Sequence, residues 1–406
     1  MRKLTFSLLC ALLLTSSLVM PVLAQDSPLT PPVLCGDLAT TDCDILKASA
    51  EVMQTVSSYA FATEYNVFLT GIPEMEVDTV DITFGADGML EVDPESMAAM
   101  KSLTEASMAG DAEAVQAVMA DLPATVLDFY RGLGFDGTIR LTMPEEVAAL
   151  ISEDSDVPFP ADLTLAFRIV DGMFYMRIAD LKAYAPELEE YPSEWIGFDL
   201  VGLMEQGMAA GDTSQMDATS MAQSMIFAGL ANQMMSAMEQ FVTVERLDDA
   251  DVAGQTAAVF QSSVDMVDFF GSDEFASFVR DMVVLAGADD AQTTAEIDQG
   301  LMMVGLMAPM IFGGMEVDNL MTIGLDDYYL YAQDFSFSWD LSQLLGLAAM
   351  SDPALAEALG DAEPLIEFAF TSSFDQFNED FDLTAPDDVE IIPLEDMAPD
   401  TMDAVF

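Results

Sequence analysis

The chain has 406 residues: 72 are Asp or Glu, 11 are Lys or Arg and none is His, giving a formal net charge of −61. So acidic a chain does not suit a nucleic-acid backbone, which needs clustered Lys and Arg. Without His it builds no Ser-His-Asp triad, Cys-His pair or His-ligated zinc. Yet 52 % of residues are hydrophobic and only 20 % are charged, the reverse of a disordered acidic tail, so the chain can bury a sizeable core.

Residues 1–24 read as a signal peptide. Arg2 and Lys3 form a positive start, Leu4 to Leu18 is largely apolar, and Val22-Leu23-Ala24 supplies small residues before a cleavage point. The protein is therefore expected outside the cytoplasm, periplasmic or secreted, after cleavage near Ala24. Cys10 lies inside the apolar stretch, preceded by Leu9 rather than the small residue a lipidated Cys needs. Residues 25–44 look like a flexible leader, closed by a Cys35–Cys43 disulfide, the plainest role for a close cysteine pair in an exported chain.

Asp44 caps a helix over Ile45 to Val56, with apolar residues at helical spacing. Alternation then predicts strands at Tyr59–Val67 and Val77–Phe84, with Gly85-Ala-Asp-Gly88 turning into a short strand, Met89–Val92. Residues 94–133 change character, with Ala- and Met-rich helical spacing at Pro94–Met108 and Ala112–Arg131. Strands resume at Thr138–Met143 and Leu163–Ile169, and Asp171-Gly172 is a hairpin turn into Met173–Ile178. Trp195–Leu200 is another strand, and residues 201–240 are again helical and Met-rich. Phe241–Arg246 and Gln255–Ser263 flank an Asp-rich segment. Two or three helices fill Val264–Phe312. A hairpin, Glu316–Gly324 with Tyr328–Trp339, turns at Asp326-Asp327. A helix near Leu341–Ala349 precedes a last long strand, Leu365–Phe374. The longest apolar run of the mature chain, Leu301–Met315, is shorter than a bilayer span and contains Pro309.

Alternating rather than continuously apolar strands have one covered and one partly solvated face. The fold class is therefore α+β: a strongly curved antiparallel sheet with helices packed in its concave side. Residues 45–392 form a single domain, with helical insertions near 94–133 and 201–240 and a C-terminal tail at 393–406.

Few motifs carry chemistry. Gly132-Leu-Gly134-Phe-Asp-Gly137 spells G-x-G-x-x-G, but a helix precedes it and a strand follows, the reverse of a dinucleotide site. Asp248, Asp249 and Asp251 lack the Gly and Glu positions of an EF-hand. No D-[ST]-G occurs. No catalytic residue, metal site or cofactor is assigned, and the chain is not expected to be an enzyme. The 31 methionines interleave with Ala, Leu, Ile and Phe on predicted helices, which suits an adaptable apolar lining rather than the polar Met tracts of copper(I) sites.

Several segments together resemble the LolA-like and LppX/LprAFG-like superfamily of exported lipid and lipoprotein carriers. They are the Ser58-Tyr-Ala-Phe61 turn after the first helix, Asp251-Val-Ala-Gly254-Gln entering a strand that ends Ser263-Val-Asp265, and the hairpin at Asp326-Asp327-Tyr328. The closing strand, with Phe374-Asp-Gln-Phe-Asn378 followed by Ala385-Pro386, completes the set. The resemblance spans roughly residues 45–392. It implies an open, incomplete β-barrel whose apolar cavity is plugged by helices and holds acyl chains.

The expected function is a non-catalytic carrier of an apolar acyl-chain ligand, lipid or lipoprotein; the alternative is a structural or interaction protein of the cell envelope with no ligand. Alternation and spacing put Phe167, Ile169, Tyr175, Trp195, Phe198, Met302, Met303 and Leu306 in the lining. The chain is expected to be a monomer that binds no nucleic acid and meets a membrane transiently through apolar contact. Loss of Arg2 and Lys3 leaves 72 acids against nine bases, a net charge of −63. Such self-repulsion points to a salty environment or divalent counterions.

Overall fold

The β-branched and aromatic alternation that begins at Ser58 produces a 13-stranded sheet in the computed structural model. The structure describes residues 33–393 apart from 73–76, 78, 99–123, 153–158, 180, 183, 185–187, 190, 210–233, 235–236, 286–290 and 351–362. The strands are β1 (Ser58–Thr70), β2 (Thr79–Val92), β3 (Leu133–Thr142), β4 (Asp162–Val170), β5 (Met173–Arg177), β6 (Trp195–Asp199) and β7 (Val242–Arg246). They continue with β8 (Ala250–Val252), β9 (Gln255–Val264), β10 (Met315–Gly324), β11 (Leu330–Asp340), β12 (Leu365–Asp375) and β13 (Val389–Ile391).

Their spatial order is β13-β6-β5-β4-β3-β2-β1-β12-β11-β10-β9-β7, with β8 paired to β9. The ends, β13 and β7, do not meet, so the sheet is open, and the fold is α+β. Neighbours are antiparallel except β13, which runs parallel to β6. The central contact joins the first long strand to the last, with Tyr65 opposite Phe370.

Seven α-helices are delimited among the described residues: α1 (Thr40–Met53), α2 (Glu145–Ser152), α3 (Leu200–Ala209), α4 (Met266–Phe270), α5 (Asp273–Leu285), α6 (Ala291–Ile311) and α7 (Ser342–Ala349). Leu46 of α1 packs with Val242, Val244, Phe260 and Ile323 on the β7–β9–β10 end of the sheet. Val147 and Ala148 of α2 pack with Val80. Phe129, in the helical residues 124–131, joins the core around Leu90 and Phe135. Phe269 of α4 meets Phe241, Phe270 and Phe275. Phe270 stacks on Phe312 at 3.9 Å, beyond the end of α6. None of the described helices is long and apolar enough to cross a membrane.

Most predicted strands and helices form close to where alternation placed them, and Asp171-Gly172 makes its hairpin with both residues at positive φ. Residues 85–88 differ. Gly85 to Gly88 do not turn; they run through the middle of β2, which continues unbroken to Val92. Gly88 lies between Phe61 on β1 and Gly137 on β3. A Cβ on Gly88 would stand 2.5 Å from the Asp136 carbonyl oxygen, so the glycine serves close backbone approach, not a bend. Similarly, Gly134 and Gly137 of the G-x-G-x-x-G spelling lie within β3.

Cys35 and Cys43 are disulfide-bonded, with Cα atoms 5.4 Å apart. α1 starts at Thr40, earlier than its apolar spacing indicates. Val33, Leu34 and Leu38 pack against the cluster around Leu46, so this part of the expected leader is structured. Arg246 reinforces the same corner, holding Asp42 at 2.5 Å and Asp249 at 2.8 Å. The strands β8 and β13 were not predicted; each has three residues, too few for a periodicity. The expected signal peptide (1–24), most of the expected Met-rich insertions (99–123 and 210–233) and the tail beyond 393 lie outside the described residues.

Candidate functional site

Directly opposed residues on neighbouring strands share a face, and alternate residues along a strand return to it. On β1 that face carries Tyr59, Phe61, Tyr65 and Val67. Across the register from Tyr65 stand Phe84 on one side and Phe370 on the other, then Phe335 beyond Phe370. One step along, Val67 opposes Phe368, which opposes Phe337, which opposes Val317. Tyr65 and Phe370 ring centroids are 4.7 Å apart, and Phe335 and Phe368 are 6.1 Å apart. Away from the centre, Phe135, Phe167, Phe174 and Phe198 make a ladder over β3 to β6. Successive centroids along it are 5.1, 6.2 and 5.1 Å apart. Aromatic cross-strand pairs of this kind add about 0.5–1.5 kcal/mol each beyond area burial.

All the helix contacts named above, through Leu46, Val147, Ala148 and Phe129, fall on this apolar face. They seal its ends. In the middle, Val67, Phe335, Phe337, Phe368 and Phe370 stay half-buried. Such a patch of rings and branched side chains can hold a hydrocarbon by dispersion and water release at about 25 cal/mol per Å² of covered apolar surface. Burial pushes the Tyr65 hydroxyl up to about 12, which keeps a neutral ring at this centre.

The opposite face is polar. It carries Glu64, Asn66, Asp81, Asp87, Arg140 and Asp334, with an Asp87–Arg140 ion pair and Asn66 donating to Asp81 at 2.9 Å. A groove of about 490 Å³ runs between Glu64, Asp87, Arg140, Asp334 and Thr371. Ala62, Ala86 and Ala332 share its lining with these charges and hydroxyls, and the charged groups at its walls disfavour an acyl chain there.

The eight predicted lining residues do not share one surface. Phe167, Ile169 and Phe198 lie on the apolar face. Tyr175 and Trp195 lie on the other one. Tyr175 opposes Arg168 and Gly197, and Trp195 opposes Arg177, each one position out of phase with the Phe ladder. The Arg168 guanidinium sits 5.5 Å from the Trp195 ring centroid and 2.9 Å from Asp136. Tyr175 is buried there because the C-terminal stretch crosses this side. Ile391 comes close beside Gly197, Leu383 beside Gly134, and the Thr384 carbonyl accepts from Arg168 at 3.3 Å.

Met302, Met303 and Leu306 are 69, 56 and 78 % exposed and turn away from the core. The buried side of α6 is its small-residue side: Ala308 is fully covered and Gly305 faces the backbone of Gly271. Close helix contact selects small residues there, and Met302, Met303, Leu306 and Met310 are left outside while Leu301, Val304 and Met307 are half-buried. Alternation did mark Phe335, Phe337, Phe368 and Phe370 as strand residues. That β1 adjoins β12 was the missing information.

The segments that carried the family resemblance converge on one rim of the sheet. The Asn378 side-chain carbonyl accepts the Ser57 N–H at 2.9 Å, and its amide donates to the Tyr329 hydroxyl at 3.0 Å. Ser58 donates to the Glu379 carbonyl at 2.5 Å. Gln255 and the Tyr331 hydroxyl both donate to Asp327, each at 2.8 Å. Asn378 and Tyr328 both have positive φ, which Asn tolerates better than most residues. These residues tie strand ends together, a structural role.

No family model matches the chain, and no curated protein matches it. Among solved structures it is similar to the lipoprotein LppX of Mycobacterium tuberculosis, at 8 % identity and a TM-score of 0.27, covering 84 % of this chain and 97 % of that one. It is also similar to LprF of Mycobacterium bovis, at 9 % identity and a TM-score of 0.28, covering 84 % and 95 %. Both names fall in the LppX/LprAFG-like group that the order of elements resembles; at these TM-scores the likeness adds no weight to a functional reading.

Proposed function

We propose that the protein is an exported, non-catalytic carrier that holds an acyl-chain ligand, as a lipid or an acylated protein, against the apolar face of its open sheet. One observation supports this most directly: the central rings Phe335, Phe337, Phe368 and Phe370 are only half-buried, although helical residues pack on the same face over β2 and β3 and over the β7–β9–β10 end. A face built only for stability would place its largest aromatic side chains under the most cover. Each CH₂ removed from water contributes about 0.8 kcal/mol, so two acyl chains bind usefully without any charged contact.

The disulfide and the signal-like N-terminus support a location outside the cytoplasm. Met302, Met303, Leu306 and Met310 form an exposed apolar side of α6. In this reading it touches a membrane transiently, because the net negative charge disfavours electrostatic docking on anionic lipid. Divalent cations or salt offset that charge, and the carrier acts as a monomer.

The test is lipid extraction and native mass spectrometry of the purified protein, with uptake of cis-parinaric acid by fluorescence. The expected result is a co-purifying lipid and saturable uptake, weakened about tenfold or more in Phe337→Gln/Phe368→Gln, each substitution removing a side chain worth about 1.5–3 kcal/mol of burial. An unchanged far-ultraviolet circular dichroism spectrum would accompany that loss. Neither lipid nor uptake in the wild type would leave the ligand-free envelope protein as the better reading.

A further inference from the structure

The exposed side of α6 is built mainly from thioethers. Met302, Met303, Leu306 and Met310 follow one another at steps of one, three and four residues, which places them on one side of the helix, with the fully covered Ala308 on the other. Met350, just beyond α7, is 84 % exposed, and α7 packs beside α6. Among the described residues, Met302, Met303 and Met350 are the three most exposed methionines, whereas Met143 is 6 % exposed. Charge avoids the same place. Residues 299–315 and 341–351 carry no charged side chain, in a chain with 72 acids. An uncharged bilayer surface can approach this side without meeting the acids that cover the rest of the molecule.

Leucine would serve such a contact as well as methionine, and Leu306 stands in the same row. What methionine adds is an accessible sulfur whose oxidation turns an apolar side chain into a polar one. The Cys35–Cys43 disulfide fits an oxidising setting, where that chemistry is available. We infer that Met302, Met303, Met310 and Met350 are a modification site for hydroperoxides, and that their oxidation releases the protein from a zwitterionic bilayer. Each thioether sulfur takes one oxygen atom from hydrogen peroxide. The O–O bond breaks, an S=O bond forms and water leaves; the sulfur loses two electrons and the peroxide gains them. The sulfoxide oxygen is an acceptor that hydrocarbon leaves unpaired, so its burial among acyl chains is costly. Sulfoxide reductases reverse the step. The inference rests on the membrane contact proposed for α6 and is independent of what the sheet carries.

The test treats the full mature protein with hydrogen peroxide and maps sulfoxides by mass spectrometry after cleavage at Asp and Glu. Binding to phosphatidylcholine vesicles is measured before and after. Met302, Met303 and Met350 should oxidise about tenfold faster than Met143 or more. Vesicle binding should weaken by about tenfold or more, with the melting temperature unchanged, and should recover with a sulfoxide reductase. The variant Met302→Leu/Met303→Leu/Met310→Leu/Met350→Leu should bind vesicles as wild type does and ignore peroxide. Equal oxidation rates at Met143 and Met302 overturn the site. Undiminished vesicle binding by the oxidised wild type, or an equal loss in the leucine variant, overturns its effect on the bilayer. No vesicle binding by the untreated protein overturns the membrane contact, and this inference with it.

Discussion

Tyr65 shows how one side chain links sheet register to a measurable property. It is almost fully buried between Phe84, Phe368 and Phe370, and burial alone raises its hydroxyl to about 12. An acid whose folded value lies above its unfolded value of about 10 favours the folded state while neutral. That contribution is complete below about pH 10 and is lost as pH rises towards 12. Tyr331, raised to about 12 by burial and then by Asp327, acts in the same window. The Tyr65→Phe variant should therefore lose less stability than wild type between about pH 10 and 12 in denaturant melts. Equal losses would show that Tyr65 ionises as freely in the fold as out of it. At this scale Tyr65 was readable as an inward strand residue, but its partner Phe370 lies far along the chain, and no local pattern announces that pair.

The glycines of β2 and β3 are where element-level reading from sequence failed. Gly85-Ala-Asp-Gly88 has turn composition, yet pairing on both flanks holds it extended, with β1 on one side and β3 on the other. The two glycines also differ from each other. A Cβ on Gly85 would meet nothing nearer than 3.8 Å, whereas one on Gly88 would strike the backbone of Asp136 and Gly137. Gly88→Ala should cost about 1–3 kcal/mol through overpacking that backbone cannot easily relieve. Gly85→Ala should be near neutral or stabilising through reduced unfolded-state entropy. Chemical denaturation of both variants checks the contrast, and equal effects would overturn this account. The α6 helix failed differently: its apolar residues were correctly read as helical, but small residues chose the packed side and put Met302, Met303 and Leu306 outside.

Across the whole molecule, charge and apolar surface are divided between faces and edges. The 11 bases of the chain are far outnumbered by its 72 acids. Ion pairs such as Arg131–Glu205 and Arg280–Asp298 are about half-exposed and stabilise little. The surplus repels itself, and screening shortens its reach from about 10 Å at 0.1 M salt to about 3 Å at 1 M. The melting temperature should rise between those two sodium chloride concentrations; an unchanged value would show that bound counterions already neutralise the surface. The acid excess, the cysteine pair and the alternation of most long strands were all determined by the sequence alone, because each depends on composition or on neighbours a few residues apart. Only the tertiary structure decided which alternating face each strand turns inward. It set Phe167, Ile169 and Phe198 against Tyr175 and Trp195, and it brought β1 beside β12. Those outcomes depend on register and on contacts between residues hundreds of positions apart, where a shift of one residue exchanges the two faces.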